Sequence, residues 1–130
     1  EVNMILELRQ QFRFEAARRL TGLPEGHPCG RIHGHSFKVI LVLQGPRHPK
    51  FQWVRDYHEI STVTLDLLKI LDHRLLNDVE GLENPTSENI CIWLFEKLQL
   101  QLAELVQVIV SETPETECRY PVLTAVKIGG

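Results

Sequence analysis

Three residues with reactive side chains lie close together in the sequence: Cys29, His33 and His35. One residue separates the two histidines, so on a β-strand both imidazoles project from the same face. Two such imidazoles can bind a divalent metal if another element supplies a third ligand, although a lone pair of this kind also occurs simply as polar residues at a strand end. A loop cysteine near imidazoles or a metal can act as a thiolate base or nucleophile. Together the three residues predict an enzyme active site.

Two further patches could contribute to this chemistry. Asp72 and His73 follow an amphipathic segment and could orient and relay a proton for Cys29. Glu112 comes at the end of an apolar segment, where its carboxylate could accept two parallel N–H bonds from an amidine-like edge such as that of a pterin. Each patch also has a simpler interpretation, the first as a charge pair at a helix end and the second as an acid at a strand end.

Apolar spacing predicts the elements that position the first three residues. Residues 4–20 show partial alternation and predict a long strand. Residues 21–31 hold three glycines and two prolines and predict a loop. Residues 33–44 return as a strand with His33 and His35 on its apolar face. Because the connection is short, the two strands are expected to be antiparallel neighbours.

The second half of the chain predicts two helices followed by two strands. Residues 57–71 have helical spacing, and Thr86 is a good N-cap for an apolar stripe that runs from 90 to 105. The last strands are predicted at 107–111 and 120–128. This order indicates an α+β fold with a four-stranded antiparallel sheet and two helices on one face. Such a sheet has two free edges, which neighbouring subunits are expected to pair.

Composition limits the class of protein. With 130 residues, of which 43% are hydrophobic and 24% charged, residues 1–130 are expected to form a single domain. A net charge of −3 without a basic tract argues against nucleic acid as a partner. No apolar run approaches the ~20 residues that cross a bilayer, and the first ten residues lack a secretory pattern. An odd number of cysteines, three, is a poor disulfide framework, so a cytoplasmic location is expected.

Five motifs in register resemble the 6-pyruvoyltetrahydropterin synthase superfamily, and within it the branch of 6-carboxytetrahydropterin synthases (QueD). They are Phe12-x-Phe14-Glu15-Ala16-Ala17, Cys29-Gly-Arg-Ile-His33-Gly-His35-Ser36-Phe37, Leu71-Asp72-His73-x-x-Leu76-Asn77, Asn84-Pro85-Thr86-Ser87-Glu88-Asn89 and Glu112-Thr113. The resemblance extends from about Phe12 to Tyr120. The three residues between Cys29 and His33 match the spacing of the QueD-type branch.

The resemblance implies a tunnelling fold, in which trimers close their sheets into a β-barrel and two trimers stack into a homohexamer. Active sites would then lie between subunits. Glu112, with Thr86 and Thr113, would bind the pterin. Cys29, helped by Asp72 and His73, would move protons on the substrate side chain.

The resemblance also implies a zinc cofactor held by His33 and His35. The family's first zinc ligand is a histidine directly after two alanines, and this chain has Arg18 there. Strand alternation places Arg18 on the same face as the two histidines, but a guanidinium stays protonated and cannot ligate a metal. Either His27 or Cys29 completes the site, or zinc binds weakly, or Arg18 itself supplies the positive charge.

The expected function is that of a carbon–carbon lyase in queuosine biosynthesis. It would convert 7,8-dihydroneopterin triphosphate to 6-carboxy-5,6,7,8-tetrahydropterin with loss of acetaldehyde and triphosphate. One alternative keeps the substrate but makes 6-pyruvoyltetrahydropterin. The other is a metal-poor, non-catalytic paralogue that binds pterins. The expected partners are the pterin triphosphate and further copies of the chain, with no nucleic acid and no membrane.

Overall fold

The computed structural model describes residues 4–123, which form one five-stranded sheet and two α-helices. The elements are β1 (Leu6–Arg18), β2 (His33–Gly45), α1 (Tyr57–Leu68), β3 (Arg74–Leu75), α2 (Ser87–Gln99), β4 (Leu105–Thr113) and β5 (Thr116–Tyr120). The first two strands, α1 and β4 lie within a few residues of where the apolar spacing predicts them. Helix α2 also begins where it is predicted, but it ends at Gln99, six residues before the end of the predicted stripe at 105, because Leu105 is already the first residue of β4.

The prediction of a four-stranded, wholly antiparallel sheet is wrong. The strand order is β3-β1-β2-β4-β5, and β3 pairs with β1 in parallel through Ala16 and Ala17. Two hydrogen bonds to Glu15 hold the chain at this edge of β1. The backbone N–H of His73 donates to the carbonyl oxygen of Glu15, and the Asp72 carboxylate accepts the N–H of Glu15. A two-residue strand is too short to show alternation, so the sequence pattern could not reveal it.

The position predicted for the last strand is also wrong. The structure places β5 at Thr116–Tyr120, directly after the turn that follows Thr113, whereas the sequence predicts a strand at 120–128. Residues 124–128 of that prediction lie outside the described residues. The sequence pattern does not reveal β5 because its residues are mostly polar and the run that follows them in the sequence is more apolar.

Both helices begin at side-chain caps. The Asp56 carboxylate accepts the N–H of His58 at 2.9 Å at the start of α1, and the hydroxyl of Thr86 accepts the N–H of Asn89 at 3.1 Å at the start of α2. The Thr86 cap is the one predicted from the sequence. Helix α1 ends at Leu68, three residues before the predicted end at 71. In the described part of the chain, no helix is long and apolar enough to cross a membrane.

The core lies between one face of the sheet and both helices. Alternate residues of β1 from Phe12 to Arg18 are buried, and they pair with β2 so that Phe14 stacks on Phe37 with ring centroids 4.8 Å apart. One buried cluster joins these aromatic rings to Ile60 of α1 and Leu94 of α2. The end of β1 and the start of β2 therefore present Arg18, His33 and His35 at the margin of this core.

The sheet edges lead to a prediction about assembly. Within residues 4–123, no strand pairs with the outer side of β5, and β3 covers only Ala16 and Ala17 on the outer side of β1. Because exposed edges invite pairing, we expect a homo-oligomer, and the expected state is a hexamer. Light scattering at micromolar concentration should give the mass of six chains, whereas a monomer would contradict the edge argument.

Candidate active site

A buried arginine occupies the end of β1. Arg18 pairs with His33 in the β1–β2 register, and Ala16 pairs with His35, so these side chains share the core face of the sheet. Only 4% of Arg18 is exposed. The structure thus places Arg18 on the face of the two histidines, as the strand alternation predicts.

The Arg18 guanidinium is held by three neighbours. Its Nη1 donates to the carbonyl oxygen of Pro85 at 2.9 Å, and its Nη2 donates to Oε1 of Glu112 in an ion pair. Its Cζ lies 5.2 Å from the centroid of the Phe37 ring. The hydroxyl of Ser87 donates to Oε2 of Glu112, so both carboxylate oxygens have a partner inside the chain. Arg18 is therefore fixed between β4 and the start of α2.

Ser87 and the Pro85 carbonyl are functional neighbours that the sequence did not single out. The signal for Ser87 is indirect: the Thr86 cap fixes the start of α2, and this places Ser87 at the first helical position. No sequence pattern indicates that this position faces the end of β4, because that contact depends on how α2 packs against the sheet.

Glu112 carries a negative charge in this site. Its side chain is 18% exposed, and burial alone would raise the pKa of its carboxyl. The hydrogen bonds from Arg18 and Ser87 outweigh burial and hold the pKa of Glu112 below its ordinary value. A carboxylate oxygen can accept two hydrogen bonds, so each oxygen keeps one acceptor position. Glu112 therefore keeps acceptor capacity for a ligand.

The two histidines are close together and near Glu112. Their ring centroids are 4.9 Å apart and the rings are almost perpendicular. Nδ1 of His33 lies 2.7 Å from the carbonyl oxygen of Arg31, which can only accept, so Nδ1 is the donor in this hydrogen bond. Nε2 of His35 lies 3.9 Å from Oε1 of Glu112. Burial, followed by the charge of Arg18, lowers the pKa of His35, which favours its neutral form.

The donor set does not fit a zinc site with three protein ligands. Among residues 4–123, no group of three or more His, Cys, Asp or Glu side chains is arranged to hold a metal ion. His27 uses Nδ1 to accept the backbone N–H of Cys29 at 3.1 Å, and it forms no such group with His33 and His35. The position of the family's first zinc ligand holds the Arg18 guanidinium, which has no lone pair to offer. Zinc at His33 and His35 stays a prediction.

Asp72 and His73 form a pair at the edge of β1. Oδ2 of Asp72 lies 3.0 Å from Nδ1 of His73, and Oδ1 accepts the backbone N–H of Glu15 at 2.8 Å. The Glu15 hydrogen bond, assisted by His73, lowers the pKa of Asp72. His73 is exposed and has a φ of 58°. It lines an open cleft of about 600 Å³ together with His35, so one member of the predicted proton relay and one of the two histidines border the same space.

Cys29 lies in a separate part of the chain. It is partly exposed in the short 3₁₀ turn Pro28–Gly30, and its carbonyl oxygen accepts the N–H of Leu20 at 2.9 Å. In the described part of the molecule, no hydrogen bond or ion pair connects Cys29 to Asp72 or His73. A single chain therefore brings His35 and His73 to one cleft but forms no hydrogen bond between Cys29 and the Asp72–His73 pair.

The other two cysteines are poor candidates for a base. All three cysteines are free, which fits the expectation that they form no disulfide framework. Cys91 is buried, its thiol donates to the carbonyl oxygen of Val108 at 3.1 Å, and burial raises its pKa to about 12. Burial also raises the pKa of Cys118. Neither thiol is prone to ionise, because the protein around it disfavours the thiolate.

The two predicted threonines make contacts within the chain. Thr86 uses its hydroxyl oxygen to cap α2, as described above. The hydroxyl of Thr113 lies 2.9 Å from that of Thr116, and strand alternation turns Thr113 away from Glu112. The hydroxyl that contacts Glu112 is that of Ser87. Pterin binding by Thr86 and Thr113 stays a prediction.

Known proteins match almost all of the described chain. The profile of the 6-pyruvoyl tetrahydropterin synthase family matches residues 7–122. A 6-carboxy-5,6,7,8-tetrahydropterin synthase from Synechocystis is 38% identical over 117 residues, which are 85% of this chain and 89% of the relative. A dihydroneopterin monophosphate aldolase from Pyrococcus furiosus is 37% identical over 71 residues, which are 55% of this chain and 59% of that enzyme.

A solved structure extends the match to the fold. The 6-pyruvoyl tetrahydropterin synthase of Caenorhabditis elegans superposes with a TM-score of 0.83 at 29% identity, covering 90% of this chain and 95% of that one. This superposition confirms the tunnelling fold expected for the single chain. The chain belongs to the 6-pyruvoyl tetrahydropterin synthase family.

Proposed function

We propose that this chain is a lyase that converts 7,8-dihydroneopterin triphosphate and water to 6-carboxy-5,6,7,8-tetrahydropterin, acetaldehyde and triphosphate. The observation that carries the proposal is Glu112, an ionised carboxylate with one free acceptor position on each oxygen, in a chain that matches the family over residues 7–122. The Synechocystis relative, which bears the name of this activity, supports this branch over the others.

Each group in the site has a separate task in the proposed reaction. Glu112 accepts two N–H groups of the pterin ring and orients it, since a charged bidentate acceptor is the strongest partner for such an edge. The Cys29 thiolate removes a proton from the substrate side chain, and the Asp72–His73 pair passes protons at the exposed cleft. Because Cys29 forms no hydrogen bond with that pair within one chain, assembly of subunits would bring them together.

Product identification tests the proposal directly. The protein is incubated with 7,8-dihydroneopterin triphosphate, with and without added Zn²⁺, and the pterin product is identified by mass. We expect 6-carboxytetrahydropterin together with one acetaldehyde for each triphosphate released. A 6-pyruvoyl product without acetaldehyde would instead support the activity named for the Caenorhabditis elegans protein. Tight pterin binding without any product would support a non-catalytic pterin-binding protein.

A further inference from the structure

Arg18 and His35 face the same carboxylate oxygen. Nη2 of Arg18 bonds Oε1 of Glu112, and Nε2 of His35 lies 3.9 Å from that same atom. The space beside His33 and His35 is therefore closed on one side by an internal ion pair. A divalent cation placed there would meet a fixed positive charge and would find no third ligand among the described residues.

Arg18 cannot easily move away to make room. Its side chain is 5% exposed, and it is bonded to the Pro85 carbonyl and to Glu112 while it lies over the Phe37 ring. Moving the guanidinium out would leave the Glu112 carboxylate without its cation in a largely buried place, which is unfavourable. The ion pair is thus a stable part of this site.

The guanidinium also has an unused donor. Among residues 4–123, the Nε–H of Arg18 is buried and has no hydrogen-bond partner, although buried polar groups in proteins nearly always have one. Each Nη carries a second N–H as well, because an arginine offers five donors. An oxygen atom of a bound ligand could accept a hydrogen bond from the Nη groups, whereas the Nε–H is shielded from solvent. In the proposed complex these oxygens belong to a side chain on a pterin ring that Glu112 holds.

We propose that Arg18 replaces zinc in this chain: its guanidinium is the permanent cation of a metal-independent site and binds the hydroxyl or keto oxygens of the pterin side chain. The identity of the ligand as a pterin rests on the proposed function. The inference that the site needs no zinc rests on the Arg18–Glu112 ion pair and does not depend on that function. Because an arginine side chain is a permanent cation in proteins, the site would need no metal to carry a positive charge.

Zinc content tests the metal half of the proposal without any activity measurement. Four proteins are compared: wild type, His33→Ala, Arg18→His and the double variant Arg18→His/His33→Ala. Each is incubated with equimolar Zn²⁺ and separated from free metal. Its zinc content and its folded secondary structure are then measured. We expect less than about 0.1 zinc per wild-type chain and about one per Arg18→His chain, because the histidine restores a third nitrogen ligand. The double variant should lose that zinc again. The proposal would be overturned if wild type bound about one zinc per chain and His33→Ala bound none. This outcome does not depend on whether the Arg18 variants fold.

Ligand binding tests the second half. Chelator-treated wild type is titrated with neopterin, which has a hydroxylated side chain, and with pterin, which has none. We expect neopterin to bind at least about tenfold more tightly, a typical effect for hydrogen bonds to a charged group, and the difference to disappear in Arg18→Met. Equal affinities in wild type, or an affinity that zinc increases, would overturn the role of Arg18. Failure of both pterins to bind zinc-free wild type would overturn the proposed function and leave the zinc result standing.

Discussion

Replacing Cys29 with alanine is expected to reduce turnover of dihydroneopterin triphosphate by a factor of about 100 or more, the usual cost of removing an acid–base group. The proposed role requires a thiolate, and no other cysteine is suited to it. Cys91 has its pKa raised to about 12 by burial, and the pKa of Cys118 is shifted upward for the same reason. The rate constant of the purified variant, with product identified by mass, measures the effect.

The fold should survive this substitution. The bonds that hold the turn around Cys29 use its backbone, since its N–H donates to Nδ1 of His27 and its carbonyl oxygen accepts from Leu20. Thermal unfolding should therefore be nearly unchanged. Cys118→Ala is the matched control, because Cys118 is also partly exposed but has no proposed role. If Cys29→Ala kept more than about a tenth of the wild-type rate, Cys29 would not be the base.

The parts of the site that depend on local periodicity can be predicted from the sequence. Alternation along β1 and β2 is a property of the backbone, so residue spacing alone places Arg18, His33 and His35 on one face. The Thr86 cap is equally local, because a hydroxyl at that position bonds an N–H three residues later. Neither inference needs knowledge of how distant segments pack.

The contact that defines the site cannot be predicted in this way. Arg18 and Glu112 are 94 residues apart in the chain, and Ser87 reaches Glu112 only because α2 packs against the end of β4. From residue spacing, Arg18 is predicted to face the two histidines. Glu112 is predicted to have a carboxylate that is available to a ligand. In the structure each is the other's partner. The expected consequences of mutating either residue therefore change.

From the sequence alone, Glu112→Gln should weaken pterin binding far more than it disturbs stability. The structure indicates that pterin binding and stability will both decrease. The glutamine would leave the buried Arg18 cation without its counter-charge. Breaking a buried ion pair by removing one partner costs about 3–5 kcal/mol, and the 18% exposure of the Glu112 side chain argues for the lower end, about 3 kcal/mol. Chemical denaturation at neutral pH measures the loss.

An exposed ion pair in the neighbouring strand provides the control. Glu117 pairs with Arg119 in β5, but both side chains are more than 40% exposed, at 43% and 45%. Glu117→Gln should change the free energy of unfolding by less than about 1 kcal/mol, the usual limit for surface pairs. The two substitutions are chemically identical, so the difference between them measures the effect of burial.

A double variant separates lost charge compensation from lost packing. Arg18→Met and Glu112→Gln should each lower the free energy of unfolding. The double variant should lose less than the sum of the two single losses, by at least about 1 kcal/mol, because the second substitution removes the charge that the first left unpaired. Additive losses would mean that Arg18 and Glu112 do not depend on each other. In that case the ion pair could not be what excludes zinc from the site.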